Sequence, residues 1–401
     1  MAGLFAEPDF RRLWLAGAIS SAVRWLDALA FSIVAYQQSG SAFVVAMLLM
    51  LRLLPMGLFG AFAGALAERT QPHRVLLAVM LMLAATGLAL AALSATGRLA
   101  VWHLAVASFL NGLGWMTDST VRRLTLAEVV GSTRVNAAAS FDSASSNACR
   151  MLGPTAGGVL LAGIGITSAF VMGALLYLVA AMALAGMRYR RPVLAPGAPG
   201  VLVRILSGFA FARRDPRLVG TLVVTVIFNL WGWPSTSMVP VLAQGRLGLG
   251  TEATGLLVSM DGLGALVASL LLGLARPGTH ARLYVGGAVL YFAMEIALAA
   301  AATPWLAGLA VAMTGVAAAA FGVMQTTLIF MATPSEMRSR VFGVLTACIG
   351  LGPLGFVHIG LLADWLGAPA ATAICGAEGL LALALTWRWW RVLLAPTAAS
   401  T

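Results

Sequence analysis

Arg74-Val75-Leu76-Leu77-Ala78-Val79-Met80-Leu81-Met82-Leu83-Ala84-Ala85-Thr86-Gly87-Leu88-Ala89-Leu90-Ala91-Ala92-Leu93-Ser94-Ala95-Thr96 is the stretch whose reading decides the fold. After its opening arginine it carries no charge, and its only polar side chains are the hydroxyls of Thr86, Ser94 and Thr96. Crossing a hydrocarbon layer takes about 20 apolar residues as a helix, whereas a spanning strand would alternate in segments of about ten. Residues 74–96 do not alternate, so they predict a membrane helix whose backbone polar groups are satisfied internally.

Stretches of the same kind recur from end to end. Of the 401 residues, 60% are hydrophobic and only 10% charged, and mean hydropathy is +0.93. Soluble domains carry about 25% charged residues, so this composition excludes a soluble protein. All 25 basic residues are arginine and the formal charge is +11, a balance that would raise nucleic-acid binding only in a soluble chain. The cysteines, Cys149, Cys348 and Cys375, each lie within an apolar stretch and predict neither a disulfide framework nor a metal cluster. Glu7, Asp9, Arg11 and Arg12 precede an apolar run too long for a signal-peptide core, so no cleavage is expected.

Breaks of Gly, Pro and charge divide the chain into twelve expected spans: 11–36, 42–67, 74–96, 99–123, 137–163, 166–186, 218–243, 253–275, 281–301, 304–331, 339–363 and 369–391. The expected organisation is an N-terminal six-helix bundle over 1–186, a linker over 187–217 and a C-terminal six-helix bundle over 218–401. Within the linker, Val201, Ile205, Leu206, Phe209 and Ala212 recur at helical spacing, which suits a surface helix. With the N-terminus inside, twenty arginines fall in cytoplasmic segments, two outside (Arg98, Arg246), and three within spans (Arg24, Arg52, Arg150). Positive loops are retained in the cytoplasm, so both termini are expected there. Six plus six helices about a basic linker suggest a duplicated transporter with a site between bundles, although a pore or a membrane enzyme shares the count.

The loop after the second span reads Gly64-Ala65-Leu66-Ala67-Glu68-Arg69-Thr70-Gln71-Pro72-His73-Arg74. It resembles the signature of the major facilitator superfamily, with Glu68 in the acidic position and Pro72 and His73 in place of basic residues. The resemblance implies that Gly64, Glu68, Arg69 and Arg74 latch the two bundles in the outward-open state. A carboxylate facing a helix N-terminus is stabilised by the dipole, which gives that role a physical basis. In the fifth span, Gly153-Pro154 and Gly157-Gly158 resemble the segment that the family's exporters carry there, serving either packing or gating. Pro334 to Gly343, then Gly350, Gly352, Pro353, Gly355, Gly360 and Asp364, resemble the branch of enterobactin exporters and macrolide efflux pumps.

Ionisable residues within spans are costly and mark candidate sites. Arg24, Arg52, Asn111, Trp115, Asp118, Asp142, Ser146, Arg150, Asn229 and Gln325 are the expected substrate-cavity residues. The resemblance implies that the first, second, fourth and fifth spans and their counterparts line that cavity. Arg24, Arg52 and Arg150 are expected to be neutralised by Asp27, Asp118 and Asp142. No arginine falls within a span of the second half, so Asp261, Glu295 and Glu378 have no obvious basic partner in the sequence. An acid in such surroundings can exchange a proton near neutrality. Asp261 is the first proton-coupling candidate, since the resemblance implies that its helix borders the cavity. Asp27 is the second, with Arg24 nearby in sequence, and His358 the third, as a possible relay. Trp231 and Trp233 suit either an aromatic substrate or an interfacial anchor.

The expected fold is therefore an all-α membrane protein of two six-helix bundles, the major facilitator fold, in a bacterial-type cytoplasmic membrane. The expected function is a proton-coupled exporter of a mid-sized amphipathic compound, siderophore-like or drug-like, acting by alternating access. Its partners are a small-molecule substrate, protons and the lipid bilayer, with no nucleic acid, ATP, metal or cofactor. Without lysine no lysine-bearing phosphate loop exists on this chain. A facilitator, importer or lipid transporter of the same fold is the nearest alternative, and a membrane-embedded enzyme, with no paired-histidine spacing to support it, the distant one.

Overall fold

Proline opens many of the long helices, where its missing N–H is an orphan in any case and its fixed φ suits the first turn. The chain forms α1 (Pro8–Ser39), α2 (Ala42–Arg69), α3 (Pro72–Ala95), α4 (Val101–Val130) and α5 (Val135–Ala185). A short α6 (Val201–Ala212) follows, then α7 (Pro216–Arg246), α8 (Thr251–Leu272), α9 (His280–Ala300), α10 (Pro304–Ala332), α11 (Arg338–Ile349), α12 (Gly352–Leu366) and α13 (Ala368–Leu385). This computed structural model describes residues 2–69, 71–131, 134–190, 201–272, 278–334 and 336–395, without the side chains of 2–3, 60–69, 136, 201–205 and 339. All regular structure among the described residues is helical, and ten segments, with α11 and α12 taken together as one, are long and apolar enough to cross a membrane.

Two physical features separate those ten from the twelve expected spans. The ten count the fifth and sixth spans together as α5, but Gly165, whose φ of 75° and ψ of 171° would strain a residue with a side chain, breaks it into two arms. The first runs along α1 from Ser145 beside Trp14 to Gly157 beside Leu26, and the second returns from Phe170 beside Phe31 to Arg188 beside Asp9. The second is α4, which carries Asp118, Arg122, Arg123 and Glu128 and is not among the ten. Two further spans are irregular. In α7, regular helix ends at Ile227, and π and 3-10 turns carry the chain past Pro234 and Pro240 to Arg246. The expected 339–363 span breaks between α11 and α12, where Pro353 stands just after the interruption. Such interruptions free backbone groups and re-aim side chains, and broken helices are where transporters place sites.

The chain divides into two compact units. One comprises Met1–Gly40, Leu51–Gly197 and Leu249–Ser259, the other Ser41–Met50, Ala198–Gly248 and Met260–Thr401. The first has a core of Phe10, Leu13, Leu76, Met80, Val121 and Leu184. Asp9 closes its lower corner, accepting from the backbone N–H groups of Arg188 (3.1 Å) and Tyr189 (2.7 Å) and from Arg12 Nη1 (3.0 Å). In the second unit, Phe228 stacks on Phe321 at 3.9 Å between ring centroids and packs edge-on to Tyr291 at 4.8 Å. Residues 201–212 form α6. A Cβ at Gly208 would lie 2.4 Å from the Arg340 carbonyl oxygen, so α6 lies directly on the start of α11, while Leu206 and Phe209 stay exposed.

Candidate functional site

The first unit gathers its polar side chains from α1, α2, α4 and α5. On α1, Ser20, Arg24 and Asp27 share one face through helical periodicity, and all three are buried. Asp27 Oδ2 accepts from Asn111 Nδ2 on α4 (2.9 Å) and from the Tyr177 hydroxyl on α5 (3.4 Å). Both donors are neutral. A cavity of about 10 Å³, room for about one water, lies among Asp27, Asn111, Tyr177 and the apolar wall of Leu83 and Phe170.

Beside this node, Arg24 and Arg52 both lie over the indole of Trp115, their guanidinium carbons 5.3 and 5.8 Å from the ring. A ring face attracts a cation, and the attraction strengthens once water is removed. Arg24 Nη2 donates to Ser21 Oγ at 3.0 Å, and Arg52 Nη2 donates to the Arg24 carbonyl at 2.9 Å. Arg52 is brought in by close backbone packing: a Cβ at Gly112 would sit 1.9 Å from the Arg52 carbonyl oxygen. Arg52 Nε is buried and has no hydrogen-bond partner. A buried donor left in that state costs about 1–3 kcal/mol, so it marks a place where an acceptor belongs.

The expected pairing of three arginines with three aspartates is corrected by a fourth arginine. Arg122, placed by its sequence in a cytoplasmic segment, is 3% exposed, because α4 continues two further turns to Val130. Its Nε donates to both oxygens of Asp118 (3.2 and 3.3 Å), one turn earlier, and its Nη1 makes a close contact with Asp142 on α5. Gly17 makes the room, since a Cβ there would lie 2.4 Å from Arg122 Nη1. Asp118 and Asp142 are thereby engaged, and Arg150 lies over Trp25 at 5.8 Å. Ser146, one turn before Arg150, is half-buried on α5. Gly153, Gly157 and Gly158 are contact surfaces: a Cβ at Gly153 would lie 2.7 Å from Trp25 Cβ, and one at Gly158 2.9 Å from the Thr251 carbonyl oxygen. Pro154 lies within this packed face, and its own carbonyl oxygen would be 2.4 Å from a Cβ at Gly255.

In the second unit, a neutral chain replaces charge. Gln325 Nε2 donates to Thr225 Oγ1 (2.7 Å), which also contacts the Tyr284 hydroxyl (3.0 Å), and Asn229 Nδ2 donates to the Thr225 carbonyl (2.9 Å). Asp261 is half-buried at a helix crossing, where a Cβ at Gly315 would lie 1.9 Å from its carbonyl oxygen. His358 is not a lone histidine: its Nε2 lies 2.7 Å from Glu378 Oε2, which also accepts from Trp231 Nε1 at 3.0 Å. Glu378 therefore has the partner its sequence did not reveal. The side chains of Gly64, Glu68 and Arg69 lie outside the described residues, and Arg74 is exposed in the first turn of α3. Two contributors were absent from the sequence reading, Tyr177 and Tyr284, while Arg122, on one helical stripe with Asn111, Trp115 and Asp118, was counted with the cytoplasmic arginines. Tyr177 and Tyr284 sit in apolar runs where a buried hydroxyl must find a partner, and that requirement was the available signal.

Residues 3–398 match the family described as transmembrane secretion effector. An uncharacterized MFS-type transporter of Bacillus subtilis (strain 168), YfiS, is 25% identical over 89% of this chain and 87% of its own length. Macrolide efflux protein A of Streptococcus pyogenes is 21% identical, covering 89% and 90%. The crystal structure of a POT family transporter in complex with 5-aminolevulinic acid superposes with a TM-score of 0.77 at 11% identity, covering 96% of each chain. That likeness concerns the fold alone.

Proposed function

Because the chain belongs to the transmembrane secretion effector family of major facilitator transporters, we propose that it exports a mid-sized amphipathic compound across the bacterial cytoplasmic membrane in exchange for protons. The observation that carries this reading is the buried cluster of Asp27, Arg24, Arg52 and Trp115, with its unpartnered Arg52 Nε. An indole face flanked by two guanidinium groups suits a substrate that combines an apolar or conjugated body with a carbonyl or anionic group. The export direction is supported by the efflux protein among its relatives.

Asp27 takes precedence over Asp261 as coupling residue. Its hydrogen-bond donors are the neutral Asn111 and Tyr177, while the Arg24 guanidinium donates to Ser21, so Asp27 can take up a proton without dismantling an ion pair. Binding of substrate to Arg24 and Arg52 would alter the field at Asp27, a physical route from occupancy to proton uptake. Twelve spans follow if the two arms of α5 and the charged α4 each cross the membrane. Arginine distribution supports cytoplasmic termini, with Glu68 and Arg69 acting in the loop latch.

The test uses inside-out vesicles and a radiolabelled macrolide, with accumulation driven by an imposed pH gradient. The parent should accumulate the label. Asp27→Asn should abolish gradient-driven accumulation while retaining exchange of label without a gradient, and Arg69→Ala should slow both at matched membrane levels. Gradient-driven accumulation by Asp27→Asn at the parental rate would overturn the coupling role, and a parent that accumulates none would overturn the substrate class.

A further inference from the structure

The second unit holds a group of side chains that the proposed export mechanism does not use. Cys375 and Glu378 stand three residues apart on α13 and so share a helix face. His358 reaches them from α12, and the three potential ligand atoms, one nitrogen, one sulfur and one oxygen, all lie within 4.8 Å of one another. Trp231, on the irregular part of α7, donates to Glu378 Oε2 at 3.0 Å and fixes the orientation of the carboxylate. Outer hydrogen bonds of this kind hold ligands in place around bound metals.

A second observation lies beside the same place, on α9. Glu295 is 0% exposed, and neither of its carboxylate oxygens has a hydrogen-bond partner. Its neighbour Ser235, whose hydroxyl is close enough to act on the carboxylate, bonds the Gly232 carbonyl at 2.8 Å. Glu295 packs against the residue next to Cys375, since a Cβ at Gly376 would lie 3.2 Å from the Glu295 Cβ. Burying a carboxylate without donors is costly unless a cation or proton compensates it. His358, Cys375, Glu378 and Glu295, together with Trp231 and Ser235, bring two acids, a thiol, an imidazole, an indole and a hydroxyl to this place.

We propose that His358, Cys375 and Glu378 form a binding site for a thiophilic divalent cation of the zinc class, with Glu295 or a water completing the coordination. The donor set decides the class. Thiolate and imidazole favour zinc-like ions, whereas magnesium and calcium require oxygen-rich sites. In a tetrahedral zinc site, ligand atoms lie about 3.3–3.6 Å apart by the usual bond lengths. The three atoms are already within 4.8 Å. The His358–Glu378 pair, now 2.7 Å apart, must open slightly, and both side chains are partly exposed and can move. Binding is balanced by loss of the Cys375 thiol proton and of any proton shared by His358 and Glu378, so metal uptake releases protons. The spacing 358–375–378 conceals the site in the sequence, because the histidine belongs to a different helix from the cysteine and the acid.

Cobalt(II) titration of the purified, detergent-solubilised full-length protein tests the site. Expected are one cobalt per chain, a thiolate-to-cobalt charge-transfer band, the visible bands of tetrahedral cobalt, and loss of all of them on adding an equivalent of zinc. Cys375→Ser should lose the charge-transfer band, and His358→Gln and Glu378→Gln should each weaken zinc binding at least about tenfold. A Cys149→Ser/Cys348→Ser double variant should titrate as the parent does. No stoichiometric band in the parent, a band retained by Cys375→Ser, or a band lost in the double variant would overturn the proposal. Should Cys375→Ser fold poorly, the parental titration and His358→Gln, altered at a partly exposed side chain, still decide it. The assay reads metal binding alone, so its outcome is independent of proton-coupled export.

Discussion

The two units tie their helices together with different polar groups, charged in the first and, along α7, α9 and α10, neutral in the second. Asp118, Arg122 and Asp142 form a buried ionic triad across α4 and α5, whereas Thr225, Tyr284, Asn229 and Gln325 tie α7, α9 and α10 together through uncharged groups. Around the neutral chain lie the stacked rings of Phe228, Phe321 and Tyr284. Charges inside a membrane protein hold helices only as complete sets, because removing one member leaves the others buried without compensation. Neutral hydrogen bonds contribute less each and are lost more gently. Single polar changes should therefore cost more in the charged triad of the first unit than in the neutral chain of the second.

The largest effect that would break this contrast lies at Arg122. Replacing it with alanine leaves Asp118 and Asp142 buried together, and loss of one partner from a buried ionic set costs about 3–5 kcal/mol. Arg122→Ala should lower the thermal midpoint of the purified protein strongly, and a parental midpoint would show that the triad does not hold α4 to α5. Gly17→Ala should act in the same direction, because its Cβ would intrude 2.4 Å from the guanidinium. The guanidinium end can shift, so the loss should be smaller than for Arg122→Ala.

Close helix crossings are where the two units agree. A Cβ at Gly112 would meet the Arg52 carbonyl oxygen at 1.9 Å in the first unit, and one at Gly264 would meet the Ala312 carbonyl oxygen at 1.8 Å in the second. Backbone atoms cannot step aside as a side-chain terminus can, so alanine at either position should cost about 1–3 kcal/mol through forced separation of helices. Thermal unfolding of Gly112→Ala and Gly264→Ala should give similar losses, and a large effect in one unit only would place the rigidity difference in packing instead of charge. Smaller still is Gln325→Leu, which removes one neutral bond to Thr225 and should cost about 1 kcal/mol. A loss as large as that of Arg122→Ala would break the contrast.

Membrane helices were legible from apolar length alone, and the linker helix from its periodicity. What escaped was the depth of charge. Arg122 and Arg123 are adjacent and read together as a loop, yet the helical turn buries the first and exposes the second. A count of arginines cannot separate them, because their difference is rotational; helical spacing does, putting Arg122 on the stripe of Asn111, Trp115 and Asp118. The break in α5 was legible as Gly163 and Gly165, and the chain turns back there. The Asp27 node was half legible: Asp27 and Asn111 stood out as polar residues in apolar runs, while Tyr177 was hidden by counting as hydrophobic. Gly112 and Gly264 carried no signal, since a glycine inside a helix identifies a close approach only when the opposite backbone is known.

The smallest expected effect is at Asp261, and it sharpens the comparison at the level of function. By sequence Asp261 and Asp27 are alike, each a carboxylate interrupting an apolar helix, one per unit. Their surroundings differ. Asp27 is buried and held by Asn111 and Tyr177 beside two arginines, so its protonation is tied to the geometry of three helices. Asp261 is half-buried, with part of its side chain accessible, so a change there should disturb little of the surrounding packing. Asp261→Asn should therefore leave thermal stability within about 0.5 kcal/mol and preserve gradient-driven accumulation in inside-out vesicles, under conditions where Asp27→Asn has lost it. If Asp261→Asn abolishes accumulation and Asp27→Asn does not, coupling resides in the neutral unit, and the charged cluster of the first unit serves only to hold its helices together.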